Sequence, residues 1–174
     1  MRRILTAATL GGLLALAVAA QQLPRLQKVY PGPEQPLPFS HKAHAGRGVE
    51  CKTCHTTPDP GDFAEIIEAK TCMGCHEAAG ADHPAMAKLA EFAASGEWVP
   101  WEPVYLVPDY VFFSHREHEE KAQATCADCH GDVAAAEVLG KERDISMAAC
   151  MECHRAKGAS LECDYCHEPR GAAP

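Results

Sequence analysis

The sequence predicts a small, mostly irregular and α-helical fold in which short helices form two modules. Three observations lead to this fold class. All ten cysteines fall into five Cys-x-x-Cys-His motifs. A Phe-Ser-His-x-x-His element occurs twice, which indicates an internal duplication. Only 6% of the residues are aromatic, too few for an ordinary side-chain core, and no segment has the two-residue period of a β-strand.

The five motifs have the spacing at which c-type haem is attached. Cysteines at i and i+3 lie on the same side of a helical turn and can reach the two vinyl groups on one porphyrin edge. The histidine that follows binds the iron from the proximal side as a neutral imidazole. Zinc sites and thioredoxin-like pairs also use Cys-x-x-Cys, but neither requires a histidine after every pair. We therefore predict five haem c groups, around which the short helices pack.

The motifs identify the covalent and proximal residues directly. The predicted thioether cysteines are Cys51, Cys54, Cys72, Cys75, Cys126, Cys129, Cys150, Cys153, Cys163 and Cys166. The predicted proximal ligands are His55, His76, His130, His154 and His167. Five complete motifs leave no thiol for the disulfide bonds that an exported cysteine-rich chain would otherwise form. No catalytic residue is predicted.

The first twenty residues resemble an export signal. Arg2 and Arg3 precede an apolar run that ends in small residues at Ala20, as in a secretory signal peptide. The run of about 17 residues is also at the lower limit for crossing a bilayer, so a retained membrane anchor is the alternative. In either case we expect the rest of the chain to be periplasmic or otherwise exported. If the segment is retained as an anchor, it attaches the chain to the inner membrane.

Composition and repeats divide the exported part into four segments. They are a proline-rich spacer (21–38), a dihaem module (39–95), an extended connector (96–112) and a trihaem module (113–170). In the first module, Asp62-x-x-Glu65 predicts a capping box ahead of a short helix over 63–70. His83-Pro84 predicts the start of a helix that ends near Ser95, before a glycine. The aromatic residues of the connector are expected to cover either haem edges or module surfaces.

Five histidines lie outside the motifs and are candidates for distal iron ligands. Four of them form two pairs, His41 with His44 and His115 with His118, each at i and i+3 on the first turn of a serine-capped helix. Two imidazoles so close on one helix cannot bind opposite faces of one iron, but each can bind a different haem. A solvated helix start or a zinc site is the alternative interpretation.

At these residues the sequence resembles the class III multihaem cytochromes c, the small bis-histidine family of metal- and sulfate-reducing bacteria. The match is Phe-x-His-x-x-His followed within ten residues by Cys-x-x-Cys-His, and it covers 39–76 and 113–167. In that family the first histidine of a pair ligates the adjacent haem and the second ligates a later one. The resemblance therefore implies His41 for the Cys51/Cys54 haem, His44 for Cys72/Cys75, His115 for Cys126/Cys129 and His118 for Cys150/Cys153.

The fifth haem, at Cys163 and Cys166, departs from that family, whose triheme form takes this distal ligand from a histidine just before the middle motif. Residues 144–149 contain no histidine, but Met147 lies three residues before Cys150. Methionine is a known axial ligand that raises the reduction potential. His83 is the rival, because it would match ten histidines to ten axial positions. The residues leave both ligands open.

Electron transfer in an exported, periplasmic respiratory chain is the favoured function. The net charge of −8 becomes −10 without Arg2 and Arg3, which favours docking on a basic face of a redox partner protein and makes nucleic acid an unlikely ligand. A haem enzyme that reduces an oxyanion is the alternative if neither His83 nor Met147 ligates the fifth haem, because the distal position of its iron would then be open.

A structural or conducting subunit of a larger quinol-oxidising membrane complex is the other alternative. The two-plus-three arrangement resembles, less specifically, the pentahaem subunit of alternative complex III, a membrane complex that oxidises quinol. Two connector segments carry this second resemblance, Val99-Pro100-Trp101 and Val107-Pro108-Asp109-Tyr110, the latter just before the second Phe-Ser-His. It implies a quinol-oxidising complex as redox partner and favours a membrane anchor at the N-terminus.

Overall fold

The computed structural model describes residues 31–167. The predicted signal or anchor (1–20), the first part of the spacer and the last residues of the trihaem module lie outside this range. The α-helices of the described part are α1 (His41–Ala45), α2 (Cys51–Cys54), α3 (Ala69–His76), α4 (Ala85–Ser95), α5 (Cys126–His130), α6 (Met147–Lys157) and α7 (Cys163–Cys166). A π-helical turn (Glu117–Lys121) and a 3-10 turn (Val133–Ala135) complete the elements. The described residues thus form helix and coil without a strand, which confirms the predicted class.

Each Cys-x-x-Cys-His motif lies on a helix, as the attachment geometry requires. Helices α2, α5 and α7 begin at the first cysteine of their motif, and α3 and α6 carry their motifs within longer helices. Local capping fixes two of these starts: Thr125 and Asp128 form a capping box on α5, and the Ser146 hydroxyl accepts a hydrogen bond from the Ala149 amide on α6. Both cysteines of a motif therefore face the same side of one turn.

The predicted helix over 63–70 is wrong. Residues 62–68 are coil, and α3 begins only at Ala69. The segment instead runs alongside the first motif, where the Glu65 amide donates to the Thr56 carbonyl at 2.8 Å and the Ile67 amide donates to the Cys54 carbonyl at 3.1 Å. These bonds satisfy the backbone in an extended form, so a helix has no advantage there.

The predicted helix after Pro84 is confirmed. It spans Ala85–Ser95 and ends at Gly96, whose φ of 72° is the left-handed conformation that favours glycine. Helix α4 packs on α3 and contributes to a small apolar cluster. Within the described residues, the buried hydrophobic side chains of this cluster are Leu37, Ala69, Leu89 and Val99.

Many large apolar side chains remain exposed. Phe63, Leu106 and Val138 are each more than 70% exposed. A polypeptide core of four buried hydrophobic residues is small for 137 described residues. The side chains alone leave the interior incomplete, which is consistent with the predicted porphyrin core.

The connector is coil and is attached to both modules. Val99 belongs to the apolar cluster on the first module, and the Trp101 ring meets the Phe39 ring edge-on at 6.1 Å. On the second module, the Tyr105 hydroxyl donates to the His130 carbonyl at 3.2 Å and accepts from the Glu142 amide at 2.9 Å. Part of the predicted aromatic set thus packs beside histidines. The module boundaries themselves stay a prediction.

Two equivalent backbone hydrogen bonds, one donated by each module, join the two modules. The Lys42 amide, on α1, donates to the Ala136 carbonyl of the second module at 3.0 Å. The Arg116 amide, at the equivalent place in the second element, donates to the Gly61 carbonyl of the first module at 3.1 Å. Gly61 and Ala136 each lie ten residues after the first cysteine of their motif. The sequence duplication therefore has a counterpart in the packing.

Side chains reinforce this junction. The Ser40 hydroxyl donates to the Glu137 carboxylate at 2.7 Å, and the buried Ser114 hydroxyl donates to the Gly61 carbonyl at 3.3 Å. Each serine also accepts a hydrogen bond from a backbone amide at the start of its own helix, as predicted for an N-cap. Ion pairs across the junction are Lys42–Glu137, Lys52–Glu119 and Arg116–Asp59.

None of the helices within residues 31–167 combines the length and the apolar character needed to span a bilayer.

Candidate functional site

The ten cysteines are free thiols at exposed or half-buried positions. Burial raises the pKa of five of them, and neighbouring thiols raise it further. These five are Cys54, Cys72, Cys126, Cys129 and Cys150. Cysteines paired at i and i+3 and accessible on helix surfaces suit the covalent attachment predicted for them.

The electrostatic neighbours of these thiols reveal the spatial order of the motifs. Cys54 of the first motif interacts with Cys72 and Cys75 of the second, and Cys51 interacts with Cys126 of the third. The remaining links are Cys129 with Cys150 and Cys153, and Cys150 with Cys166. The five motifs are therefore neighbours in the order second, first, third, fourth, fifth.

The proximal histidines share a hydrogen-bonding pattern. In four of them Nδ1 lies against a backbone carbonyl, which can only accept, so Nδ1 carries the proton and Nε2 keeps its lone pair. The pairs are His55 with Glu65 (3.2 Å), His76 with Ala79 (2.8 Å), His154 with Ser160 (2.8 Å) and His167 with Tyr110 (3.2 Å). This is the tautomer and the fixed ring orientation that a metal-ligating histidine needs.

The structure brings each predicted distal histidine to the proximal histidine that the resemblance implies. The ring pairs are His41–His55 (6.4 Å, 10° between planes), His44–His76 (5.9 Å, 57°), His115–His130 (6.4 Å, 6°) and His118–His154 (6.1 Å, 44°). Two imidazoles that bind one metal ion from opposite sides, each at about 2 Å, hold their ring centroids roughly 6 Å apart. The four gaps therefore have the width of an axially ligated iron.

The phenylalanine of each repeated element positions the second histidine. Phe39 stacks on His44 with centroids 4.4 Å apart, and Phe113 stacks on His118 at 4.5 Å. Both phenylalanines also meet the first histidine of their pair edge-on at 4.9 Å. No separate role was predicted for these rings from the sequence. Their repetition beside each histidine pair was the signal that could have revealed it.

The first histidines of the two pairs differ in their surroundings. The His115 Nδ1 donates to the Asp62 carbonyl at 2.8 Å, whereas the His41 Nδ1 is buried without a hydrogen-bond partner among the described residues. Burial lowers the pKa of His41, followed by the proximity of His55. Burial also lowers the pKa of His130, followed by His115 and then His55. The first and third sites are thus close enough for their proximal histidines to interact.

The fifth motif has a different environment. The Tyr110 ring lies 5.9 Å from the His167 ring, and among residues 31–167 no second imidazole faces His167. Met147 is the first residue of α6, one helical turn before Cys150, and is 66% exposed. Met147 shares a helix face with Cys150, and Cys150 is an electrostatic neighbour of Cys166 in the fifth motif.

His83 lies near the second motif. It is exposed at the start of α4, which packs against α3 and the second motif. Its Nδ1 accepts a hydrogen bond from the Ala85 amide at 3.2 Å, so this histidine has the tautomer opposite to that of the other bonded histidines. The structure does not bring His83 to the fifth motif. Within the described residues, no three His, Cys, Asp or Glu side chains converge as a bare metal ion would require.

Comparisons with known proteins identify related families and relatives. The chain matches the cytochrome c3 family over residues 43–131 and the family of cytochrome c7 and related cytochrome c over 111–168. It is 31% identical over 169 residues to the menaquinone reductase, multiheme cytochrome c subunit of Nitratidesulfovibrio vulgaris, covering 82% of this chain and 80% of that protein. It is 28% identical over 144 residues to the high-molecular-weight cytochrome c of the same organism, covering 82% of this chain and 20% of that protein.

Proposed function

The chain belongs to the class III multihaem cytochromes c, which carry covalently bound haem and transfer electrons, and we propose that it is a pentahaem electron carrier of an exported respiratory chain. Each Cys-x-x-Cys-His motif would hold one haem c. The proximal ligand of each haem would be the motif histidine, and four of the distal ligands would be His41, His44, His115 and His118.

The four imidazole gaps of 5.9–6.4 Å carry this proposal. Each gap lies beside a cysteine pair whose spacing suits thioether attachment, so covalent and axial positions agree at four sites. Bound haem supplies one-electron exchange between ferric and ferrous iron. The chain would contribute two imidazole ligands at each of these four sites, with their ring orientation and their protonation.

The row of attachment sites also favours an electron carrier. Neighbouring thiols link all five motifs in one continuous series, with the first and third motifs at the junction of the modules. Groups attached in such a row lie close together, which electron exchange requires. A carrier of this kind needs no substrate pocket. It functions by docking on its redox partner, and its surface charge guides that docking.

Met147 is the better candidate for the fifth distal ligand. It lies one helical turn before Cys150, which neighbours Cys166, whereas His83 precedes the helix that packs on the second motif and uses Nδ1 to accept a hydrogen bond from a backbone amide. A histidine–methionine site would have a more positive reduction potential than the four bis-histidine sites. The series of haems would then end, beside the fifth motif, in the most oxidising member.

The redox partners are proposed from the relative and from the charge. The similar protein of N. vulgaris is named as a subunit of menaquinone reductase, so we propose that this chain is periplasmic and exchanges electrons with a quinone-linked membrane complex. Residues 1–20 would either be removed as a signal peptide or anchor the chain to the inner membrane. The acidic net charge favours docking on a basic partner surface, and no nucleic-acid partner is proposed.

Purified holo-protein tests the proposal directly. Mass spectrometry and the pyridine haemochrome assay should give five haems per chain, and EPR of the oxidised protein should show low-spin iron throughout. Redox titration followed by absorption should resolve one centre that is more positive than the others. Fewer than five haems, or a high-spin centre in the unaltered protein, would contradict the proposed carrier.

One observation favours a second candidate, a haem enzyme that reduces an oxyanion. Met147 is largely exposed, and no second imidazole faces His167, so the fifth iron would be open if Met147 did not bind it. Carbon monoxide or nitrite would then perturb the reduced spectrum of one haem in five. An unchanged spectrum after both additions supports the carrier and excludes this enzyme.

A further inference from the structure

We propose that the loop 59–62 of the first module is a positioning element for His115 of the second, and that it lowers the reduction potential of the haem at Cys126 and Cys129. The inference rests on the proposed ligation of that haem by His115. It assigns a redox-tuning role to residues that belong to neither the motif nor the ligand set of this haem.

The start of the second histidine element is docked on two consecutive carbonyls of this loop. The His115 Nδ1 donates to the Asp62 carbonyl at 2.8 Å. The Arg116 amide donates to the Gly61 carbonyl at 3.1 Å, and the buried Ser114 hydroxyl donates to the same carbonyl at 3.3 Å. Three successive residues of the second module are therefore oriented by the first.

Arg116 and Gly61 fix the position of the loop. The Arg116 guanidinium pairs with Asp59 and donates to the Thr57 carbonyl at 3.0 Å. Gly61 has a φ of +92°, and a Cβ there would lie 2.5 Å from the Arg116 Cβ and 2.9 Å from its Nε. No side chain fits at residue 61 without displacing either the loop or Arg116.

The equivalent contact in the first module lacks a hydrogen bond from Nδ1 of the first histidine. Lys42 and Ser40 dock on Ala136 and Glu137 just as Arg116 and Ser114 dock on the loop 59–62. The His41 Nδ1 nevertheless has no partner among the described residues. The hydrogen bond to His115 is therefore a property of the loop 59–62, and not of the repeated histidine element.

The bond changes the electronic character of the ligand. An imidazole that donates its Nδ1 proton to a carbonyl is more basic at the ligating nitrogen, and its ring orientation is fixed. A more basic axial ligand stabilises ferric over ferrous iron, so the reduction potential falls. The His115 ring lies within 6° of the His130 plane.

Gly61→Ala in the full-length holo-protein tests the proposal, with Gly96→Ala as the matched control. Both glycines have positive φ, but a Cβ at Gly96 meets nothing within 4 Å. In an NMR-monitored redox titration, Gly61→Ala should shift one haem to a more positive potential and leave four unchanged. EPR should show a change in one low-spin signal, because that signal depends on the angle between the axial imidazole planes. Gly96→Ala should change neither.

Arg116→Lys is the second variant. It tests the redox-tuning role of the loop if Gly61→Ala fails to bind five haems. It keeps the charge opposite Asp59 but removes the bond to Thr57, so a smaller shift in the same direction is expected. A fully loaded variant in which all five potentials equal those of the unaltered protein overturns the proposal. That result would leave the electron-carrier function intact, whereas fewer than five haems in the unaltered protein would contradict the function itself.

Discussion

In the first module the His41 ring lies 6.4 Å from the His55 ring at 10° between planes, and in the second the His115 ring lies 6.4 Å from His130 at 6°. The second histidines of the two pairs are tilted against their partners by 57° and 44°. Each element thus produces one near-parallel and one tilted imidazole pair. Six residues of local sequence are enough to reproduce this geometry, because a helix cap, a spacing of three and one phenylalanine define it.

The two elements differ where they meet the other module. His115 donates to the Asp62 carbonyl, and Ser114 is buried. His41 has no partner for Nδ1 among the described residues, and Ser40 bonds to an exposed carboxylate. A duplicated sequence therefore gives similar histidine positions but unequal hydrogen bonding of the first histidine, because the partner loop differs.

Removal of a first histidine is expected to have the largest effect. Either His41→Ala or His115→Ala should convert one of five haems to a five-coordinate, high-spin centre that binds carbon monoxide when reduced. His115→Ala should also cost about 0.5–1.5 kcal/mol more in the free energy of unfolding, because it alone removes a hydrogen bond at the junction. Absorption spectra with carbon monoxide and chemical denaturation measure the two effects.

His83→Ala is the control for both variants. It removes only an acceptor for the Ala85 amide at the start of α4, so the haem spectrum and all five potentials should stay unchanged. A new carbon monoxide complex in His83→Ala would identify His83 as an iron ligand. It would contradict the proposal that Met147 is the distal ligand of the fifth haem.

Met147→His tests whether the fifth site differs from the four paired sites in its distal ligand. The substitution should turn the fifth haem into a bis-histidine site and move its potential negative, by a measurable part of the roughly 0.8 V over which axial ligands set haem potentials. Met147→Ala should instead open the iron to carbon monoxide. If neither variant alters any potential or spectrum, Met147 is not a ligand.

The two capping serines allow a stability comparison. Ser114→Ala should cost about 1–2 kcal/mol, because it removes an N-cap and a buried hydrogen bond to Gly61. Ser40→Ala should cost about 1 kcal/mol, since the second bond of Ser40 reaches an exposed carboxylate. Denaturant unfolding of the holo-proteins measures both, and a larger loss for Ser40→Ala would contradict the assigned difference in burial.

The smallest expected effect is the pH dependence of the junction. The Ser40 hydroxyl, followed by Lys42, holds the pKa of Glu137 below its ordinary value of 4.5. A lowered carboxyl pKa stabilises the fold fully above the ordinary value, and the stabilisation disappears as the pH falls through the lowered value. Glu137→Gln should therefore flatten the acid limb of the thermal-unfolding profile. An acid limb that is the same in Glu137→Gln and in the unaltered protein would contradict this contribution.

Much of the site follows from the sequence because its rules are local. The motif spacing places both thiols of a pair on one turn, and the spacing of three in each histidine pair lets its two rings face different motif histidines. The same local reasoning failed at Asp62-x-x-Glu65, where a capping-box pattern predicted a helix. Backbone bonds from Glu65 to Thr56 and from Ile67 to Cys54 keep that segment extended instead. Tertiary contacts overrode a weak local preference.

The sequence by itself determined the five attachment motifs, the mostly helical and irregular class, the duplication and the helix over Ala85–Ser95. These features depend on residues within one helical turn or one short segment. Only the tertiary structure decided which motifs are neighbours, the packing of the helix after His83 on α3 and the bond from His115 to Asp62. That bond joins residues 53 positions apart, and such contacts depend on how the two modules pack, which no local spacing specifies.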